Sequence, residues 1–336
     1  MKSSPGSRIR KIQIQEFPHG PSLKSGWSKP STILFATEFP ANEKAFAFAL
    51  AQARDFGANL IVLHVYNRSA SVALPASGIQ DGFAAARAVK HLFDPLAQRA
   101  ANLNIQCRIV VRHGAAAVEI LNFLREQNID RLVMGARTPG ATGKLLVGSV
   151  AEAILRTSHV PVSLVGPYVE EGTYRNLATR TILCSVGAHE SRDTVACFAA
   201  ELAAKDKARL ILQHVIPPQE CSEALFGRTV DQIKADLLAM IPAAVRQQLN
   251  VQTNVMLGDP AEELLYQGRV LPASLIVIGA YGATHFAAVT HAGVVYKVLA
   301  YARCPVMTLS PVVLAESSSH LEMPVPVEVN YLAGVI

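Results

Sequence analysis

The chain has 336 residues, half of them hydrophobic and 17% charged, enough for about two domains that each bury a core of their own. No apolar run approaches the roughly 18–20 residues needed to cross a bilayer, and no apolar segment follows the basic N-terminal residues, so neither a membrane span nor a secretory leader is expected. The formal net charge of +5 sits in residues 1–29, where Lys2, Arg8, Arg10, Lys11, Lys24 and Lys29 face Glu16 alone; the rest holds 25 basic and 25 acidic residues and is neutral, which argues against a nucleic-acid or membrane-surface role outside that stretch.

Residues 1–29 are rich in Gly, Pro and Ser and read as a basic disordered tail. From Thr32 short apolar runs alternate with helical periodicity. Residues 33–37 read as a strand, and 41–56 as a helix with Asn42 as N-cap and Gly57 as its left-handed stop. A strand at 60–65, a long helix at 82–101, a strand at 106–111, a helix at 116–127 and a strand at 131–134 follow. A glycine-bearing segment then leads to a helix at 150–156 and a strand at 160–165. Beyond a linker at 168–178 the same order returns. Strands are expected at 181–186, 209–215, 251–256, 275–278 and 306–309, and helices at 191–204, 230–248, 261–270 and 294–301. Residues 312–336 read as a loosely ordered tail.

The second half repeats the first. His64 and His214 stand 150 residues apart, while Gly114 and Gly258, Gly135 and Gly279, and Pro161 and Pro305 are each 144 apart. A unit of that length is a duplicated domain, because solenoid repeats are far shorter. Alternating strands and helices predict parallel, doubly wound sheets, in which ligands sit outside the carboxyl ends of the strands. The five cysteines (Cys107, Cys184, Cys197, Cys221, Cys304) form no CxxC pair or metal cluster and read as reduced thiols, as expected of a cytoplasmic protein.

One motif carries ligand chemistry. Asp130-Arg-Leu-Val-Met-Gly-Ala-Arg-Thr138 runs through Gly140 and Gly143 to Gly148-Ser149; Ser274-Leu-Ile-Val-Ile-Gly-Ala-Tyr-Gly282 runs to Ala292-Gly293. A glycine loop between a buried strand and a helix N-terminus offers free N–H groups and the positive end of the helix dipole, a natural phosphate site. Each residue also has a structural reading. Ser149 begins Ser149-Val-Ala-Glu152, a capping box; Glu38 can be a solvated loop residue; Gly135 and Gly279 can serve tight strand exits; His64 and His214 can satisfy local hydrogen bonds. Lys144 does not complete a phosphate-binding Walker motif, since Leu145 stands where Ser or Thr is required.

Together with Leu63-His64-Val65, Gln213-His214-Val215, Gly258-Asp259-Pro260 and the closing His159-Val-Pro-Val and Cys304-Pro-Val runs, these loops resemble the universal stress protein family over residues 30–311. The resemblance implies two tandem five-stranded parallel sheets of the adenine-nucleotide alpha hydrolase-like type, at 30–167 and 179–311. It also implies an internal pseudo-dimer joined through the last strand of each half. It further implies ATP, with Mg2+ accompanying it, as ligand, and a non-enzymatic stress-response or signalling role. The binding residues it implies are Glu38, Val65, Gly135, Thr138, Gly140, Gly143, Gly148 and Ser149 in the first half, with Gly279 and Gly282 in the second. Departures are unevenly spread: Thr138 replaces a loop glycine in the first half, whereas the second has Gly187 in place of the acid and Ala292-Gly293 in place of Gly-Ser. A dimerisation or partner-binding scaffold without nucleotide is the alternative. Slow ATP hydrolysis is a third reading, for which the sequence specifies neither a water nor a metal.

Overall fold

The computed structural model describes residues 24–66, 90–136, 148–175, 180–187, 192–221, 229–280 and 291–318. In the first half, α1 (Ser25–Ser28) precedes β1 (Thr32–Thr37), α2 (Glu43–Phe56), β2 (Asn59–Tyr66), α3 (Asp94–Ala101), β3 (Cys107–His113), α4 (Ala116–Glu126), β4 (Arg131–Gly135), α5 (Ser149–Thr157) and β5 (Val162–Val165). After α6 (Gly172–Arg175), the second half runs β6 (Thr181–Ser185), α7 (Arg192–Asp206), β7 (Arg209–Ile216), α8 (Val230–Ala239), α9 (Ala243–Arg246), β8 (Val251–Leu257), α10 (Pro260–Val270), β9 (Leu275–Gly279), α11 (His291–Tyr301), β10 (Val306–Leu309) and α12 (Pro311–Ser318).

Among the described residues, ten strands join one sheet in the order β3-β2-β1-β4-β5-β10-β9-β6-β7-β8. Each half is parallel throughout, and β5 meets β10 antiparallel, with Val306 opposite Leu164 and Thr308 opposite Val162. The expected pairing of the last strands is therefore present within the chain. Thr308 Oγ1 donates to the Val162 carbonyl at 3.2 Å and Ser310 Oγ donates to the Ser158 carbonyl, so side chains reinforce the seam. Pairing these strands hides two apolar edges that would otherwise template association.

Strand order reverses between β1 and β4 in the first half and between β6 and β9 in the second, which is where a doubly wound sheet binds ligands. One face of the sheet is covered by α2 and α7. Residues 45–53 of α2 and most of residues 194–203 of α7 are buried, so these helices lack the one-sided stripe of a surface helix. The other face carries α4, α5, α10 and α11 over Leu34, Ala36, Leu63, Leu183, Ile211 and Ile278.

Two expected helices are interrupted. The described part of the helix expected at 82–101 turns at Leu92-Phe93 before α3, and that expected at 230–248 breaks at Met240–Ile241. Pro95 and Pro242 lack the N–H the ladder needs and crowd the preceding turn. Both expected tails hold packed residues. Trp27 and Ser28 are buried; Val313 and Leu314 of α12 enter the core beneath α5 and α7. Trp27 sits in a segment rich in Gly, Pro and Ser, and its packing was hidden from a composition argument.

Trp27 and Ser28 belong to a polar network between the halves. Buried Arg131 donates to the carbonyls of Trp27 (2.8 Å) and Ser28 (3.0 Å) and to Gln52 Oε1 (2.7 Å). Arg180 of the second half pairs with Asp55 of the first, and with Asp206 at 3.3 Å. Burial pushes the Arg131 guanidinium down to about 10, opposed by the charges of Asp206 and Asp130. Burial also raises the Asp206 carboxyl, although Arg180 and Arg131 pull it the other way.

Candidate functional site

A cleft of about 500 Å³ opens at the carboxyl ends of β1 and β4. Its floor is Ala36, Leu63 and Met134; its rim includes Glu38, Val65, Gly135, Gly148 and Ser149; Ala116 and Ile120 of α4 form a wall. Five of the ten expected residues thus meet in one place. Gly279 ends β9 in the other half and does not join them. Thr138, Gly140, Gly143 and Gly282 lie outside the described residues. Openings of about 580 and 510 Å³ lie at the amino ends of the strands. Helix N-termini do not point there, so size is a poor guide to the site.

Two glycines are demanded by geometry. Gly148 stands at φ +54°, a conformation that side-chain-bearing residues avoid, and forms the N-cap of α5. Gly135 has no spare room: a Cβ there would lie 2.5 Å from Asn42 Nδ2. Asn42 cannot move freely, because its side chain accepts from Ala45 N at 3.0 Å and caps α2. The Thr37 hydroxyl donates to the Glu38 carbonyl at 3.1 Å and accepts from Asn42 N at 3.3 Å, tying the end of β1 to the start of α2. Asn42 and Thr37 were legible as a cap and a strand end, but their place at the cleft is visible only once β1 and β4 are paired.

The expected capping box at Ser149 is not formed. Gly148 occupies the cap, Ser149 is the first helical residue, and its side chain makes no capping bond; Glu152 instead pairs with Arg156 at 2.5 Å. A residue inside the first turn cannot reach back to cap it. Ser149 is exposed on the cleft rim, so its hydroxyl is left for another use, beside the first-turn N–H groups of α5.

The strand-end histidines act locally. His64 Nδ1 donates to the Thr37 carbonyl at 2.9 Å, and His214 Nδ1 donates to the Val186 carbonyl at 2.8 Å. A carbonyl only accepts, so Nδ1 carries the proton in both rings. His64 is buried and its ring lies 5.0 Å from that of Phe93. All five cysteines are free; burial pushes Cys107 up to about 11 and Cys197 and Cys304 up to about 12, which suppresses thiolate chemistry. Among the described residues no group of three His, Cys, Asp or Glu side chains could hold a metal ion, and no helix is long and apolar enough to cross a membrane.

Two doubly wound α/β halves, joined edge to edge and with a cleft at a strand-order switch, define a tandem protein of the doubly wound α/β class. The family model described as universal stress protein family matches residues 30–166 and again 178–310, and the chain belongs to that family. Universal stress protein MJ0531 of Methanocaldococcus jannaschii is 30% identical over 133 residues, 36% of this chain and 73% of that protein. Universal stress protein YxiE of Bacillus subtilis is 29% identical over 68 residues, 20% of this chain and 46% of that protein. Among solved structures, a universal stress protein from Archaeoglobus fulgidus superposes with a TM-score of 0.61 at 18% identity, covering 82% of this chain and 96% of its own. A functionally unknown protein from Pseudomonas aeruginosa, PA1789, gives 0.60 at 16% identity, covering 88% and 99%. At these identities the superpositions speak for the fold.

Proposed function

We propose that the first half binds an adenine nucleotide, ATP in the first instance, in a cytoplasmic stress-response or signalling role without turnover. The observation that carries this reading is the uncapped N-terminus of α5, opening on the cleft beside a glycine held at positive φ and an exposed serine. Free N–H groups and the helix dipole favour phosphate there. Ser149 donates to a phosphate oxygen, and Glu38 accepts from the nucleoside. Val65 flanks the base above the apolar floor. Backbone amides between Gly135 and Gly143, with Thr138 and Gly140 among them, complete the phosphate loop. Mg2+ arrives with the phosphates, since the described residues offer no cluster to hold it alone.

A non-nucleotide role is favoured for the second half by one observation: Gly187 stands where the first half has Glu38, and Ala292-Gly293 where it has Gly148-Ser149.

Thermal melting with and without MgATP tests the proposal. At a hundredfold excess over the dissociation constant, ligation adds about 2.7 kcal/mol of stability. An unchanged melting temperature at about 1 mM nucleotide, a concentration that registers even weak ligands, contradicts it.

A further inference from the structure

The two openings at the amino ends of the strands differ in charge. The second-half cavity, of about 580 Å³, is lined by Arg180, Lys207 and Arg209 together with Thr181, Gln248 and Asn250; among the described residues no acidic side chain lines it. Equivalent positions follow from the register, which sets Thr32 beside Asn59 and Thr181 beside Arg209. The backbone repeats too: Asn59 N donates to the Ser31 carbonyl and Arg209 N to the Arg180 carbonyl, both at 2.9 Å. Arg180, Lys207 and Arg209 therefore stand where the first half has Ser31, Gly57 and Asn59. A fourth change runs the same way. Asp130 accepts from Ser31 N at 2.7 Å and from Thr32 N at 3.0 Å; its counterpart Ser274 accepts from Thr181 N at 3.3 Å through a neutral hydroxyl. The first-half opening has one cation, Arg108, which donates to Gln127 Oε1 at 3.2 Å.

Ion pairs use only one of the three cations. Arg180 is balanced by Asp55 and Asp206. Neither Lys207 nor Arg209 has a side-chain hydrogen bond or ion pair among the described residues, and Arg209 Nε is buried. A buried donor without an acceptor is costly, and two like charges sharing a cavity repel. Lys207 adds backbone strain: it stands at φ +50°, where the first half has Gly57 at φ +63°. A cation after the C-terminus of α7 also offsets the helix dipole. That accounts for Lys207 alone, since Arg209 begins a strand. An anion in the cavity accounts for the paired charges, the unmet N–H and the retained strain together.

We propose that this cavity binds a small phosphate monoester. Two unpaired cations match the roughly two negative charges of a terminal phosphate near neutral pH. Arg209 donates to it through its guanidinium and Lys207 through its ammonium, with no help from a helix N-terminus. The cavity has room for a sugar-sized group beyond the phosphate, and the amides of Gln248 and Asn250 bond its hydroxyls.

Ribose 5-phosphate is the probe, with ribose as the uncharged control, each titrated into the full chain by calorimetry. The expected result is binding of the phosphate and not of ribose. Arg209→Asn, which installs the first-half residue, weakens binding at least tenfold, and Lys207→Gly weakens it several-fold. Glycine is favoured at the Lys207 backbone, so a folding defect does not account for a loss in that variant. Equal binding by wild type, Arg209→Asn and Lys207→Gly overturns the proposal and assigns the phosphate to another part of the chain. So does the absence of binding by wild type at roughly 10 mM with Arg209→Asn merely less stable, which leaves the cations a structural role.

Discussion

The two halves share strand order, register and histidine contacts, yet the side chains at the carboxyl ends of their strands have diverged. The first keeps an acid, a positive-φ glycine and a serine around an apolar floor; in the second, Gly187 and Gly293 stand at the positions of the acid and the serine, and Ser185 and Gln213 at those of Ala36 and Leu63. Backbone architecture survives such divergence because it depends on apolar positions that both halves retain. Site chemistry depends on a few positions whose side chains the fold does not need. The halves nonetheless form one unit, joined by the β5–β10 seam and by the buried network around Arg131 and Arg180.

The bond between halves offers the largest expected effect. Asp55→Ala leaves buried Arg180 with Asp206 and the Tyr174 carbonyl, and loss of one partner of a buried ion pair costs about 3–5 kcal/mol. Denaturant melts should show either a large drop in midpoint or separation into two transitions; a melt like wild type would show that the seam alone unites the halves.

Next come the glycines of the first cleft. Gly148→Ala should cost about 1–3 kcal/mol through its positive φ, and Gly148→Asp a similar amount plus loss of nucleotide binding. Comparing the two by melting and by titration separates strain from charge. Gly135→Ala should destabilise by about 1–2 kcal/mol by displacing the Asn42 cap. That cost should largely vanish in an Asn42→Gly background, and additive costs in the double-mutant cycle would contradict the contact.

Ser149→Ala discriminates more finely. Without a capping bond to lose, stability should change by less than about 0.5 kcal/mol, while ATP affinity falls by about 1 kcal/mol, roughly fivefold. A large stability loss with unchanged affinity would restore the capping role.

The smallest expected effect is in pH dependence. Burial raises the Asp206 carboxyl above its ordinary 3.8. The folded state therefore favours its protonated form, and that contribution is full below 3.8 and fades as pH rises through the raised value. Asp206→Asn should remove this downward component from a stability profile measured between about pH 4 and about pH 7. An identical slope in the variant would contradict the shift.

Much of the fold was legible because the repeat fixes strand order twice over: matched glycines, prolines and histidines mark the same turns in both halves. Helix breaks at Pro95 and Pro242 were overrun because periodicity continued across them. The packed end at Trp27 was missed because one buried anchor does not alter the composition of a polar segment, and Val313-Leu314 because a short apolar run beyond the last strand has no strand pairing to mark it. Of the residues lining the cleft, Gly135, Gly148 and Ser149 were expected from the loop pattern, and Glu38 and Val65 from the ends of the first two strands. Asn42 at the cleft was not, since it acquires its place there only through the pairing of strands distant in sequence.

Calorimetric titration of the full chain with MgATP tests the asymmetry most directly. The account predicts one nucleotide per chain, with affinity reduced at least tenfold in Glu38→Gln, Ser149→Ala and unchanged in Gln213→Leu. No heat at about 1 mM ATP, or two equivalent sites per chain, would contradict it.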